Sequence, residues 1–594
     1  MKANQLLKNL VLTELESAVS SYLTKHKIDL PLTEFKIRIE YSRDEKFGDY
    51  SSPFALENKS ILKLNPKEIA EGVLSEIKNE TLFEFVTFSP PGFINFRIRS
   101  QFLIQYTNQV MSPMVTFAKT DEKQSILLEF VSANPTGPMN IVSARSAAYG
   151  DALANLLLSL GHTVKREFYV NDYGNQVYLL GVAVLLRIFE EKGEKISFQE
   201  DESEESVFTL IEKRILPKES YRGEYIRDIA KEVLSNKTKS IQVEEWIQNK
   251  NWDECIHDLS KYAVEYNLSR QKEDLKLFGV HFDQFFSERS LHEAGDVENV
   301  PTLLKKEDVS TIDGKLHFLS TQYGDDKDRV IRREDGRPTY LMADIAYHFD
   351  KYKRGFTKLI DIWGPDHYGY IARLKGAVLS FGKSNDSFLI LIAQQVNLIE
   401  NKEKVKMSKR LGIFQTMRDL LSYLGKNGKD VGRYFFLMRS SDAPLDFDLD
   451  LAKDESDKNP VFYIQYAHAR ICSIFRELQI SIADWSIPKE VSGDCFQSEE
   501  RLRLLFWVAR FQEEVYDTAT NLEPHRLTNY LQSLSKAFTK FYSHKDNRIK
   551  EKQGEEREQL LLLILFTKRA IASGLELLGI SSPEKMSKED ESNT

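Results

Sequence analysis

The feature that most constrains this chain is the grammar of residues 124–170. Residues 125–131 form a short apolar run and Asn134-Pro135-Thr136-Gly137-Pro138 a loop. Residues 143–160 then carry apolar side chains at helical spacing, stopped by Gly161 where a C-cap glycine belongs. Thr163–Val170 returns as a strand. The pattern recurs downstream. Lys358–Trp363 reads as a strand that breaks at Gly364-Pro365 into a helix through Ala372, Leu374, Val378 and Leu379, and residues 389–398 read as a third apolar strand. Buried strands alternating with helices imply a parallel α/β sheet with ligands at the carboxyl ends of its strands.

Around this centre the pattern changes. Residues 1–118 predict a small α+β unit. It has a helical opening (Leu6, Leu7, Leu10, Leu12, Leu15), an alternating strand over 35–41, and a helix over 66–78 that starts at Pro66. Residues 185–320 read as a polar, irregular insertion with an acidic run at 200–205. From about 456 strand signals vanish, and residues 463–478, 502–516, 527–542 and 559–578 have helical period. Three domains are expected: 1–118; a Rossmann-type catalytic domain over 119–455, with the insertion and a basic loop at 404–412; and an α-helical bundle over 456–594.

A chain of 594 residues suits several domains, and 41% hydrophobic residues exclude global disorder. The three cysteines, Cys255, Cys472 and Cys495, show no zinc-type spacing and no disulfide framework. The opening residues read as a mixed helix rather than a signal segment, and the apolar stretches 177–186 and 560–566 are shorter than the ~20 residues of a membrane span. A cytoplasmic protein without a membrane partner is expected. Its net charge of −9 argues, at first sight, against nucleic acid.

Two loops carry chemistry. Residues 129–143 run from a strand end into a helix start, where free backbone N–H groups favour phosphate, although an ordinary turn would look similar. Residues 404–412 hold Lys404, Lys406, Lys409 and Arg410 around Ser408, which suits either a polyphosphate or plain solvation.

Taken together, Lys406-Met407-Ser408-Lys409 after a late strand resembles the KMSKS loop of class I aminoacyl-tRNA synthetases, with the first loop where their HIGH motif belongs. The chain more specifically resembles arginyl-tRNA synthetases. The resemblance rests on residues 132–138 and 167–176, Thr339-Tyr340-Leu341-Met342-Ala343-Asp344, Gly364-Pro365-Asp366-His367 and residues 445–452. It extends to residues 47–51 and 91–96 at one end and to 463–470 and 577–580 at the other.

The resemblance implies formation of arginyl-adenylate from arginine and ATP, as its Mg²⁺ complex, and transfer of the arginyl group to tRNA by a monomer with no resident metal. It implies that Glu129 and Asp344 pair with the guanidinium, with Tyr340 beside it. Ser132 and Asn134 would hold the substrate's amino and carboxylate ends, with Asp366 and His367 nearby. Two carboxylates suit a planar five-donor fork. Lys406, Met407, Ser408 and Lys409 would face the phosphates, Lys406 and Lys409 taking the charge of leaving pyrophosphate.

The chain departs from the family at Asn140-Ile141-Val142-Ser143, where His-x-Gly-His is usual. Asn140 and Ser143 can donate hydrogen bonds but carry no positive charge, and Val142 replaces the glycine beside adenine. The alternative this raises is a catalytically impaired tRNA-binding relative. A small-molecule nucleotidyltransferase would leave both end domains without a purpose. For tRNA, residues 526–552 carry seven basic side chains against two acidic ones, with Arg526, Lys540, Lys545 and Arg548 as candidate contacts.

Overall fold

The computed structural model describes residues 1–200, 205–405, 416–488 and 491–586. Its centre is a five-stranded parallel sheet in the order Phe388–Ile392, Lys358–Trp363, Ser125–Glu129, Thr163–Val170, Gln284–Ser287. Successive side chains point to opposite faces of a strand. Ile126, Leu128, Ile360 and Ile362 therefore enter a large core that continues into the N-terminal unit and the helical bundle. Leu127 and Leu359 enter a second core with Leu341, Ile345 and Leu374. Cover on both faces is why Ser125–Glu129 and Lys358–Trp363 read as largely apolar runs. Chain order reverses between Ser125–Glu129 and Lys358–Trp363, which opens a crevice at their carboxyl ends.

Four expectations need correction. The apolar run 389–398 is two strands, because Phe388–Ile392 stays in the central sheet while Val396–Glu400 joins Leu445–Asp448 in another. In the alternating run 35–41 only Glu40–Tyr41 is strand. Upstream, both backbone groups of Lys36 bond the Asn58 side-chain amide, which satisfies them without a neighbouring strand. The insertion, expected to be irregular, is largely helical. Glu224–Ser235, Lys237–Gln248 and Trp252–Leu277 gather with Asn175–Glu191 around their own core, including Leu185, Ile229 and Ile256. Each buries only a narrow apolar stripe, so the sequence reads as polar. Most of the acidic run at 200–205 lies outside the described residues.

The N-terminal unit is an antiparallel sheet in the order Glu40–Tyr41, Tyr50–Ser52, Phe93–Ile98, Phe83–Ser89, packed with helices. The C-terminal bundle is built from Pro460–Glu477, Glu499–Ala509, Phe511–Thr520, Pro524–Ser543 and Gly554–Leu577. The single helix expected over 502–516 is thus broken at Arg510. No helix among the described residues is long and apolar enough to cross a membrane.

Unit and bundle meet at Glu513. The Tyr41 and Tyr50 hydroxyls each donate to its carboxylate at 2.8 Å, and the Lys8 N–H donates at 2.5 Å. Burial pushes this carboxyl up to about 7, although those donors and Arg510 pull it down. Because the folded value lies above the unfolded one, its contribution to stability is full below about pH 4.5 and is lost as pH rises through 7. Glu513→Gln should therefore flatten the fall in unfolding free energy between pH 5 and 8, by up to about 3 kcal/mol, and with it the fall in melting temperature. Parallel melting curves for variant and parent across that range would refute this.

Candidate active site

Register sets the electrostatics of the crevice. Asp361 pairs with Glu129, and Glu129 with Glu167, across three adjacent strands, so three carboxylates stand abreast on one face. All three are buried. Like charges directly opposite one another destabilise a sheet, and more so away from water.

The helix Tyr340–Lys353 lies over this row and answers it. Lys351, fully buried, places Nζ 2.6 Å from Glu129 Oε2 and 2.9 Å from Asp361 Oδ1. Arg354, three residues on, makes a forked pair with Glu167 at 2.6 and 2.8 Å, and Tyr347 Oη donates to the same carboxylate at 2.7 Å. His348 Nδ1–H donates to the Asp344 carbonyl at 2.8 Å, and its Nε2 lies 2.8 Å from Asp361 Oδ2. Burial pushes Asp361 up, but Lys351 and His348 outweigh it and hold the carboxyl below its ordinary value. Glu129 stays raised, because burial there exceeds the pull of Lys351. Glu129, His348 and Asp361 are close enough to ligate a metal together. The Lys351 ammonium already holds that position.

Above the row is a cavity of about 470 Å³. Glu129, Ser132, Asn134, Tyr340, Asp344 and His367 all line it, so the structure brings together the six residues expected at the amino acid. Tyr340 is exposed at the rim, whereas Asp344, one helical turn on, is half-buried in the wall. Burial pushes the Asp344 carboxyl up to about 6, against a Tyr370 Oη donor at 2.7 Å. The Ser132 hydroxyl donates to Glu129 Oε1 at 2.8 Å and accepts the Tyr169 N–H at 3.1 Å. This clasp requires the chain to turn sharply after the strand, with Val131 at φ 71° and Ser132 at φ 40°. Positive φ is costly for a β-branched valine, which marks strain held at the cavity wall.

Asn140, Val142, Ser143 and Asp366 lie outside that lining. Asn140 caps the helix Ile141–Ser159, accepting the Ser143 N–H at 2.8 Å and the Ser143 hydroxyl at 3.0 Å. Asparagine is among the best N-caps, so the residues standing where histidines were expected close the helix on each other. Gly150 lets this helix press on its strand, since a Cβ there would meet the Phe130 ring at 2.2 Å. Lys406, Met407, Ser408 and Lys409 lie outside the described residues. Just beyond them, Thr416 bridges to Asn140 and the Met417 N–H donates to the Met139 carbonyl, so residues 416–417 lie beside the helix start.

The helix Trp252–Leu277 braces the first loop and the helix Met417–Leu424. Asn267 donates to the Pro135 carbonyl, Gln271 to the carbonyls of Asn134 and Gly137, and Asp274 accepts from Arg418 at 2.5 Å. Sequence reasoning missed these residues together with Glu167, Glu288, His348, Lys351 and Asp361. The available signal was a charge inside an otherwise apolar strand, as at Asp361 in Lys358–Trp363.

The basic stretch is less free than its composition suggested. Arg526 pairs with Asp517 and Glu523, Lys540 with Glu499, and Arg548 with Glu551. Phe538 and Phe541 are core, whereas Tyr542 is partly exposed and lies against Arg470.

Family comparisons cover nearly the whole chain. Residues 6–98 match the arginyl tRNA synthetase N terminal domain, 106–422 the class I (R) tRNA synthetase catalytic domain, and 464–586 the DALR anticodon binding domain. The chain is 99% identical to an arginine–tRNA ligase from Leptospira biflexa serovar Patoc over 100% of both sequences. It is 55% identical to the arginine–tRNA ligase of Leptospira interrogans over 99% of this chain and 100% of the relative. The arginyl-tRNA synthetase structure from Thermus thermophilus superposes with a TM-score of 0.70 at 20% identity, covering 96% of this chain and 99% of that one. At that identity the likeness concerns the fold.

Proposed function

This chain belongs to the arginyl-tRNA synthetases and is an arginine–tRNA ligase, and on that premise we propose how its residues divide the reaction. Arginine, ATP and tRNA are the substrates, and the impaired alternative raised by Asn140-Ile141-Val142-Ser143 has no support in these relatives.

The observation that carries the site assignment is the charge of the cavity. Three in-register carboxylates face two fixed cations, and Asp344 and Glu288 add further acid at the wall. Such a wall favours a cationic side chain with several donors. Glu129 and Asp344 take the guanidinium beside Tyr340, while Ser132, Asn134 and His367 face the amino and carboxylate ends. The arginine carboxylate attacks the α-phosphate of MgATP in line, with no covalent intermediate on the enzyme. Asn140, Val142, Ser143 and Asp366 border the nucleotide, and Lys406 and Lys409, with Met407 and Ser408 between them, meet the departing pyrophosphate. Arg526, Lys540, Lys545 and Arg548 offer charge to the tRNA backbone, their surface ion pairs being weak enough to exchange for phosphate. The domains 1–118, 119–455 and 456–594 work together in a cytosolic monomer.

Arginine- and tRNA-dependent ATP–pyrophosphate exchange, with citrulline as competitor, tests the pocket. Citrulline keeps arginine's shape without its charge, so it should bind at least about 10³-fold more weakly than arginine. Inhibition within about tenfold of arginine would remove the carboxylates from recognition.

A further inference from the structure

We propose that Lys351 is a specificity-determining residue, a built-in cation that holds Glu129 for the substrate's guanidinium and closes the inner pocket to other cations. The inference rests on the assignment of Glu129 to the arginine pocket.

Three observations carry it. First, Glu129 is held at both oxygens. Oε2 is 2.6 Å from Lys351 Nζ and Oε1 accepts from Ser132, so the carboxylate has one orientation when substrate arrives. Second, Lys351 has no solvent exposure and its ammonium lies 4.3 Å from the centre of the Tyr347 ring. Tyr347 itself is anchored on Glu167. The ammonium is therefore walled in by groups that line or support the cavity. Third, the position it fills, between Glu129 and Asp361, is the one a free ammonium would seek, because two buried carboxylates meet there in register. A guanidinium has donors spread across a planar fork and can address the cavity-facing carboxylates without entering that position. A flexible primary ammonium is a point charge, and for it the deepest site is already taken. Lys351 touches no substrate atom in this arrangement. It acts through Glu129 and through the space it occupies.

The test uses the full-length enzyme and compares Glu129→Gln, Lys351→Met and the double variant Lys351→Met/Asp361→Asn. The double variant removes the cation together with one of its carboxylates, which restores the local balance of charge that the single change upsets. Arginine and ATP KM, kcat in tRNA charging, inhibition by L-lysine and thermal melting are read for each. The expected result is a double variant that melts cooperatively near the parent. Its arginine KM should rise about tenfold or more, with ATP KM and kcat within about threefold, and in Lys351→Met, which keeps both carboxylates, L-lysine should compete at least about tenfold better than in the parent. A double variant with parental arginine KM, or a Lys351→Met with parental exclusion of lysine, alongside a Glu129→Gln that raises arginine KM, would overturn the role of Lys351 alone. Glu129→Gln with unchanged arginine KM would overturn the pocket assignment beneath it. Failure of the double variant to fold would also overturn the proposal, because the ammonium would then be a condition of the fold.

Discussion

Asp344→Asn is expected to lower kcat/KM for arginine by about 10³-fold while making the protein more stable at neutral pH. The two effects share one cause. Burial lifts the Asp344 carboxyl to about 6 even though Tyr370 donates to it, so the free fold holds an ionised carboxylate there at a cost above that pH. A carboxyl raised in the folded state contributes most to stability below its unfolded value, near 4, and loses that contribution as pH climbs through 6. Asparagine keeps the hydrogen bond from Tyr370 and cannot ionise, so it should relieve up to about 3 kcal/mol at pH 8 and nothing at pH 4. Arginine needs the ionised form. In the parent, kcat/KM for arginine should therefore fall on an acid limb near pH 6, and in the variant that limb should be absent. Melting curves and charging kinetics from pH 5 to 8 read both effects. A variant that loses activity and stability together would make Asp344 structural, and an unchanged arginine KM would take it out of the pocket.

Lys409→Ala should reduce the rate of arginyl-adenylate formation by about 10²–10³-fold and leave the arginine dissociation constant within about twofold. Charge grows on pyrophosphate only as the α-phosphate is attacked, so a cation placed for it acts on the transition state and not on the amino acid. The helix start offers hydrogen bonds but no full positive charge. Asn140 and Ser143 are neutral and spend hydrogen bonds on each other. Single-turnover adenylate formation beside equilibrium binding of arginine separates the two quantities. Equal losses in both would show that Lys409 helps build the amino acid site.

Much of the fold was legible because local physics wrote it. The runs at Ser125–Glu129 and Lys358–Trp363 are apolar on both faces because cores lie on both sides, and Gly161 ends its helix at φ 93°. The insertion was misread for a related reason. Its helices are polar round most of their circumference and declare themselves only where they pack on Asn175–Glu191. Among the site residues, Glu129, Asp344, Ser132 and Asn134 came from motif resemblance, and the cavity gathers all four. Lys351 and Asp361 carry no motif signal. A buried lysine looks in sequence like any surface charge, and the strand aspartate shows only as a charge inside an apolar run.

The sequence by itself determined the parallel α/β core, the helical C-terminal region, the two loops at strand ends and the family to which they belong. Tertiary structure alone decided the electrostatics of the pocket. Glu129 and Asp361 are 232 residues apart and become neighbours only through strand register. The cation that makes their proximity tolerable comes from a helix laid across the sheet. Coulomb energy depends on distance and on exclusion of water. Both are properties of the folded chain, and neither is written in any one segment of it.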